Sequence, residues 1–139
     1  LTSDHGWNTI TQQSFLQEVI TELHQHNIRV SLFIDPANDL IEAAKKAGAD
    51  RIEFYTGPYA HDYFKDKHKA IKSFATAAVF CNQINIGINA GHDLNLDNLK
   101  FFKQNIPNLL EVSIGHALVC DCLYLGLENT IQLYRRELE

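Results

Sequence analysis

The chain has 139 residues, 45% of them hydrophobic, and a formal net charge of −5 at pH 7. That is enough apolar material for one core and too balanced a charge for disorder, so a single domain over residues 1–139 is expected. No basic block supports a nucleic-acid or membrane-surface role, no apolar run approaches the ~18 residues of a spanning helix, and no leader pattern opens the chain; small-molecule partners and a cytoplasmic location are the expectations.

The opening Leu1-Thr2-Ser3-Asp4-His5-Gly6-Trp7 contains nothing like a first strand and reads as the middle of a longer fold. From Thr9 to Asn27, Ile10, Phe15, Val19, Ile20 and Leu23 recur at helical steps, with Thr11 or Asn8 available as the cap. His24 and His26 near its end fall on different faces and make a poor metal pair. Residues 28–35 form a β-rich run, Pro36 breaks it, and a helix over 40–47 closes at Gly48. Residues 51–55 read as the second strand, followed by a loop and a long helical stretch to about Cys81. Residues 85–90 are the third strand, 95–104 a helix, 110–114 the fourth strand, and 117–138 a terminal helical region. Strands alternating with helices call for a parallel sheet with helical crossovers.

One strand parity is wholly apolar: Val30, Leu32 and Ile34, then Ile52 and Phe54, Ile86 and Ile88, Val112 and Ile114. The other is mixed: Ser31, Phe33 and Asp35, then Glu53 and Tyr55, Gly87 and Asn89, Glu111 and Ser113. A doubly wound sheet, covered on both faces, would want two apolar parities. A single apolar parity with polar residues opposite fits the wall of a closed (β/α)₈ barrel, whose interior near the mouth is polar. Four βα units make half of one, since a complete barrel takes about 250 residues. A free half would expose sheet edges and the inner face, so it is expected to dimerise, aggregate or dock onto a complementary half.

Two strand ends share a hydrophobe-Gly-His pattern, Asn89-Ala90-Gly91-His92-Asp93 and Ile114-Gly115-His116-Ala117. Glycine admits close backbone approach, helix starts offer free N–H groups to an anion, and imidazole moves protons near neutral pH. If the strands are neighbours, the two tips form one pocket. The three cysteines, Cys81, Cys120 and Cys122, are expected to be reduced thiols. Cys120-x-Cys122 lacks the spacing and the second pair of a zinc site, so no metal is expected.

Four segments in order, Val30-Ser31-Leu32-Phe33-Ile34-Asp35, Ile52-Glu53-Phe54-Tyr55-Thr56-Gly57-Pro58-Tyr59-Ala60, Asn89-Ala90-Gly91-His92-Asp93-Leu94-Asn95 and Ser113-Ile114-Gly115-His116-Ala117, carry a family resemblance, with Leu1-Thr2-Ser3-Asp4 adding a fifth. The chain resembles the carboxyl-terminal half of the pyridoxine 5′-phosphate synthases. The resemblance implies a TIM barrel and a transferase of vitamin B6 biosynthesis. That enzyme condenses 1-deoxy-D-xylulose 5-phosphate with 3-amino-2-oxopropyl phosphate, releasing phosphate and water. It implies no metal or organic cofactor, and a homo-octamer built from dimers.

Residue by residue, it implies that His92 is the proton donor and Glu53 the stabiliser of cationic intermediates. Gly115 and His116 would hold the aminoketone phosphate, position 93 would add a backbone contact, and Thr2 would touch the deoxyxylulose phosphate. Blander readings stand beside each: a loop histidine at His92, an ion-paired core glutamate at Glu53, a tight turn at Gly115. Asp93 brings a carboxylate near the expected anion where some relatives have glycine. Tyr55 and Tyr59 read as barrel packing, with pocket walls as the alternative, and Trp7 as an interface or core aromatic rather than a substrate stack. The family's bases belong to earlier strands, so this chain alone is expected to be inactive. The alternatives are another phosphate-binding TIM-barrel enzyme, with an aldolase disfavoured because no strand carries a lysine, or a non-catalytic half-barrel fragment.

Overall fold

A computed structural model describes residues 3–139. Thr2, expected to touch a substrate phosphate, lies outside the described residues. The elements alternate as α1 (Gln13–Gln25), β1 (Ser31–Ile34), α2 (Asn38–Ala47), β2 (Arg51–Phe54), α3 (Gly57–Gln83), β3 (Gly87–Ala90), α4 (Leu99–Asn105), β4 (Leu109–Val112), α5 (His116–Leu125) and α6 (Leu127–Glu137).

The four strands pair in parallel in the order β1-β2-β3-β4. Each crossover therefore advances one strand in the same direction. A doubly wound sheet would reverse its order at a switch point, whereas a monotonic order is the arc of a barrel wall. The chain forms part of a TIM-barrel α/β fold, with β1 and β4 as its two edges.

The apolar parity packs beneath the helices as its pattern requires. Ile34, Ile52, Phe54 and Ile88 are wholly buried, and each such side chain contributes about 1.5–3 kcal/mol relative to exposure. Phe54 meets Phe74 edge-on at 5.8 Å, and Tyr59 packs on Phe74 and Phe102. Tyr59 is thus a packing residue, and its hydroxyl donates 2.7 Å to the Asn98 carbonyl.

Boundaries differ from the sequence reading where local chemistry intervenes. Asn8 provides the N-terminal bond before α1, its Oδ1 accepting from the Thr11 N–H at 3.0 Å. Gly48 ends α2 with φ +100°, a left-handed cap that glycine adopts without a Cβ penalty. Within α3 the backbone leaves helical geometry at Asp66, whose Oδ1 accepts the N–H groups of His68 and Lys69 and so caps the second part. The terminal helical region is two helices broken at Gly126.

The fourth strand spans 109–112 rather than 110–114, with a register shift in which Ile88 faces Leu109 but Asn89 faces Glu111. Leu110 is the extra residue, 56% exposed, its Cδ1 over Gly87. The bulge leaves Glu111 on the polar parity and Val112 on the apolar one, although Val112 and Ile114 are only partly covered. Trp7 is 41% exposed and rests on Phe15, so it is no core aromatic. His24 and His26 are exposed and turn to different carboxylates, Asp50 and Glu22.

Candidate active site

Parallel pairing puts the carboxyl ends of all four strands at one edge, where barrel enzymes carry their chemistry. The two Gly-His tips follow neighbouring strands, so His92 and His116 stand at the same end of the sheet, His92 in the loop after β3 and His116 at the first residue of α5. The Ser113 N–H donates 2.9 Å to the Ala90 carbonyl, extending the pairing into both tips.

Gly91 is where the geometry is tightest. A Cβ there would overlap Glu53 Oε1 and stand 3.0 Å from the Ser113 carbonyl oxygen, so only glycine lets the Glu53 carboxylate lie against the β3 tip. Thr56 Oγ1 donates 3.0 Å to the Gly91 carbonyl in a buried bond, tying the loop after β2 to that tip. The following turn is braced by Asn98, whose Oδ1 accepts from the Asn95 N–H at 2.9 Å and whose Nδ2 donates to the Asp93 carbonyl at 3.3 Å. The loop that presents His92 is thus tied to its surroundings on either side of the histidine.

Glu53 projects from the middle of β2 on the polar parity, half-buried. Burial pushes its carboxyl above the ordinary glutamate range, the nearby Glu111 pushes the same way, and His92 pulls it back. Among the described residues no cation pairs with it. The nearest layer of charge is engaged elsewhere: Arg51 Nη1 donates to Glu111 Oε2 at 2.8 Å and to Asn89 Oδ1 at 3.2 Å, and Arg29 Nη2 reaches the same Glu111 oxygen at 3.1 Å. This cross-strand layer was not singled out in the sequence, although Arg51, Asn89 and Glu111 share the mixed parity that could have revealed it.

Asp93 Oδ2 lies 3.1 Å from His92 Nε2, yet it is buried without a hydrogen bond, because the carboxylate approaches off the ring N–H direction. The imidazole itself is stacked on Tyr55, with centroids 5.9 Å apart and planes 17° from parallel, and Phe33 packs on both rings. Tyr55 is thus a wall of the mouth as much as a packing residue. Burial, then Asp93, Asp4 and Asp35, raise its phenol pKa.

Gly115 stands at the start of α5 with φ −107° and nothing within 4 Å of where a Cβ would sit. No side chain caps this helix, so its first N–H groups are open to an anion. His116 is exposed beside it, Nε2 3.7 Å from Cys120 Sγ. Among the described residues no group of three or more His, Cys, Asp or Glu side chains is arranged around a metal position. No helix among them is long and apolar enough to cross a membrane.

A family model described as "Pyridoxal phosphate biosynthesis protein PdxJ" matches residues 1–139. Curated relatives named pyridoxine 5′-phosphate synthase include one from Cytophaga hutchinsonii, 58% identical over 139 residues, covering 100% of this chain and 58% of that protein. One from Flavobacterium johnsoniae is 52% identical over all of this chain and 59% of its own length. One from Bacteroides fragilis is 53% identical over 97% of this chain and 57% of its own. The chain spans little more than half the length of the relatives it matches.

Proposed function

The chain belongs to the family of the pyridoxal phosphate biosynthesis protein PdxJ, and from that membership we propose that the protein carrying it is a pyridoxine 5′-phosphate synthase. The reaction joins 1-deoxy-D-xylulose 5-phosphate to 3-amino-2-oxopropyl phosphate and closes the pyridine ring, with loss of phosphate and water. The observation that carries the reading is the juxtaposition of the half-buried Glu53, which has no paired cation among the described residues, with the Gly91-His92 tip.

Condensing a ketone with an amine passes through cationic, iminium-like species. A partly desolvated carboxylate with no cation paired to it among the described residues stabilises such a charge more strongly than it stabilises the neutral reactants. Each departing water or phosphate takes up a proton, and His92 at the mouth is the group suited to give it near neutral pH. The open backbone at Gly115 and the exposed imidazole of His116 would hold the aminoketone phosphate at the start of α5. The Asp93 N–H would add a donor to the same anion, its carboxylate staying with His92. Thr2 is assigned the other substrate's phosphate by the resemblance alone, and the bases fall on strands outside these 139 residues. A homo-oligomer, an octamer in the family, acting without cofactor in the cytoplasm completes the proposal.

The test is steady-state formation of pyridoxine 5′-phosphate by the full gene product. Glu53→Gln and His92→Gln should each lower kcat by about a hundred-fold, the low end of what positioned acids and electrostatic stabilisers supply. Wild-type turnover in either variant would overturn the role given to that residue.

A further inference from the structure

We propose that Tyr55 is a positioning residue that holds the His92 imidazole in place by stacking, and that Gly57 clamps Tyr55 in turn. The effect on turnover rests on the reading of His92 as proton donor; the clamp itself does not. A proton donor on a loop needs its ring held to a fraction of an ångström, and side chains usually achieve this through hydrogen bonds to a second layer. Among the described residues no hydrogen bond reaches the His92 ring, since the Asp93 carboxylate at 3.1 Å lies off its N–H direction. What the ring has is an aromatic face. Tyr55 lies nearly parallel to it at 5.9 Å, and Phe33 closes the cluster at 5.4 Å from His92 and 5.6 Å from Tyr55.

The platform is itself fixed. A Cβ on Gly57 would overlap the hydroxyl end of Tyr55, so the phenol ring lies flat on the first residue of α3 with no room to turn that way. The spacing between platform and imidazole is set by the residues next to each: Thr56 Oγ1 donates 3.0 Å to the Gly91 carbonyl in a buried bond. The clamp thus runs Gly57, Tyr55, His92, with Thr56 and Gly91 as its pin. Carboxylates crowd the same mouth, with Asp93, Asp4 and Asp35 near Tyr55 and Glu53 near His92, and with burial they hold the phenol in its neutral form.

The experiment uses the full gene product with Tyr55→Phe, Tyr55→Leu and Gly57→Ala, measuring kcat, both KM values and the His92 ring signals by ¹H–¹³C NMR, assigned with His92→Gln. Tyr55→Phe keeps the ring and should retain kcat within about two-fold, whereas Tyr55→Leu and Gly57→Ala should lower kcat ten-fold or more at nearly unchanged KM, roughly what misplacing a reacting group costs. The His92 signal, shifted by the tyrosine ring current, should be kept in Tyr55→Phe and move towards that of a free imidazole in Tyr55→Leu. Wild-type kcat in a folded Tyr55→Leu variant, or a His92 signal that does not move, overturns the proposal. Should His92→Gln turn over normally, the donor reading fails instead, and the ring signals still decide whether Tyr55 holds the imidazole.

Discussion

Two glycines at the same edge of the sheet predict opposite phenotypes when each is given a methyl group. In Gly91→Ala the new Cβ would stand 3.0 Å from the Ser113 carbonyl oxygen and overlap Glu53 Oε1. The carboxylate can swing away, but the backbone oxygen belongs to the segment paired with β3 and yields only if the strands part. Overpacking of this kind costs about 1–3 kcal/mol, and moving Glu53 from the tip should lower kcat ten- to a hundred-fold, as a misplacement of about 1 Å does. In Gly115→Ala the Cβ meets nothing within 4 Å and φ is already −107°. Losing unfolded-state freedom there should leave stability equal or raise it by about 0.4–1 kcal/mol. If a phosphate sits against that backbone, the same methyl occupies its place, and KM for the aminoketone should rise ten-fold or more, about 1.4 kcal/mol of lost binding. Urea unfolding and steady-state kinetics on the full gene product separate the two. A Gly91→Ala protein as stable and active as wild type refutes the packing argument. An unchanged KM in Gly115→Ala refutes the anion site.

Phe54→Ala removes a wholly buried ring that Phe74 meets edge-on, and should cost about 3–5 kcal/mol in urea unfolding, with a loss under 1 kcal/mol counting against this core. Burial pushes the Cys81 thiol up to about 12, so iodoacetamide at pH 8 should label the exposed Cys120 while sparing Cys81 in the folded protein; peptide mapping that finds Cys81 modified without unfolding would contradict this. Glu53 titrates above its unfolded value, so its contribution is stabilising at low pH and is lost as pH rises through the raised folded pKa. Glu53→Gln should therefore gain stability relative to wild type between pH 4 and pH 8, and a difference that stays flat over that range would show the carboxyl is not desolvated.

Most of this architecture could be read from residue patterns because the barrel wall imposes period two on every strand. Val30, Leu32 and Ile34, then Ile52 with Phe54, and Ile86 with Ile88 form the apolar parity in the sequence and are buried in the fold. The fourth strand begins one residue earlier and ends two earlier than its sequence pattern indicates, since Leu109 and Leu110 are chemically equal and only the register with Asn89 shows which is extra. The Gly-His tips were legible as a motif. What makes Gly91 indispensable is not, because its constraint comes from Glu53 on β2 and from Ser113 just past the end of β4. Tyr55 and Tyr59 are four residues apart and alike in chemistry; Tyr59 is buried on the inner side of α3 and Tyr55 faces the mouth, a distinction set by where β2 ends.

The polar face is divided into two layers, and the division explains why, among the described residues, Glu53 has no paired cation although Arg51 lies on the same strand and the same parity. Arg51 is held by Glu111 at 2.8 Å and Asn89 at 3.2 Å, and Arg29 shares the Glu111 oxygen. A Cβ on Gly87 would come within 2.7 Å of Arg51 Cγ, so the glycine makes room for this lower arrangement. Among the described residues the lower layer is satisfied by protein, while the upper one holds a carboxylate with no cation paired to it. Glu111 nonetheless acts across the layers, since it is one of the groups raising the Glu53 carboxyl. Glu111→Gln removes that like charge and releases Arg51 from an ion pair whose carboxylate is 45% exposed, so little stability should be lost, about 1 kcal/mol or less. The Glu53 carboxyl should then titrate lower than in wild type, as followed by ¹³C NMR of the side-chain carboxyl. A Glu53 titration that stays where it was would mean that the two layers are electrostatically independent and that Glu111 does not raise this carboxyl.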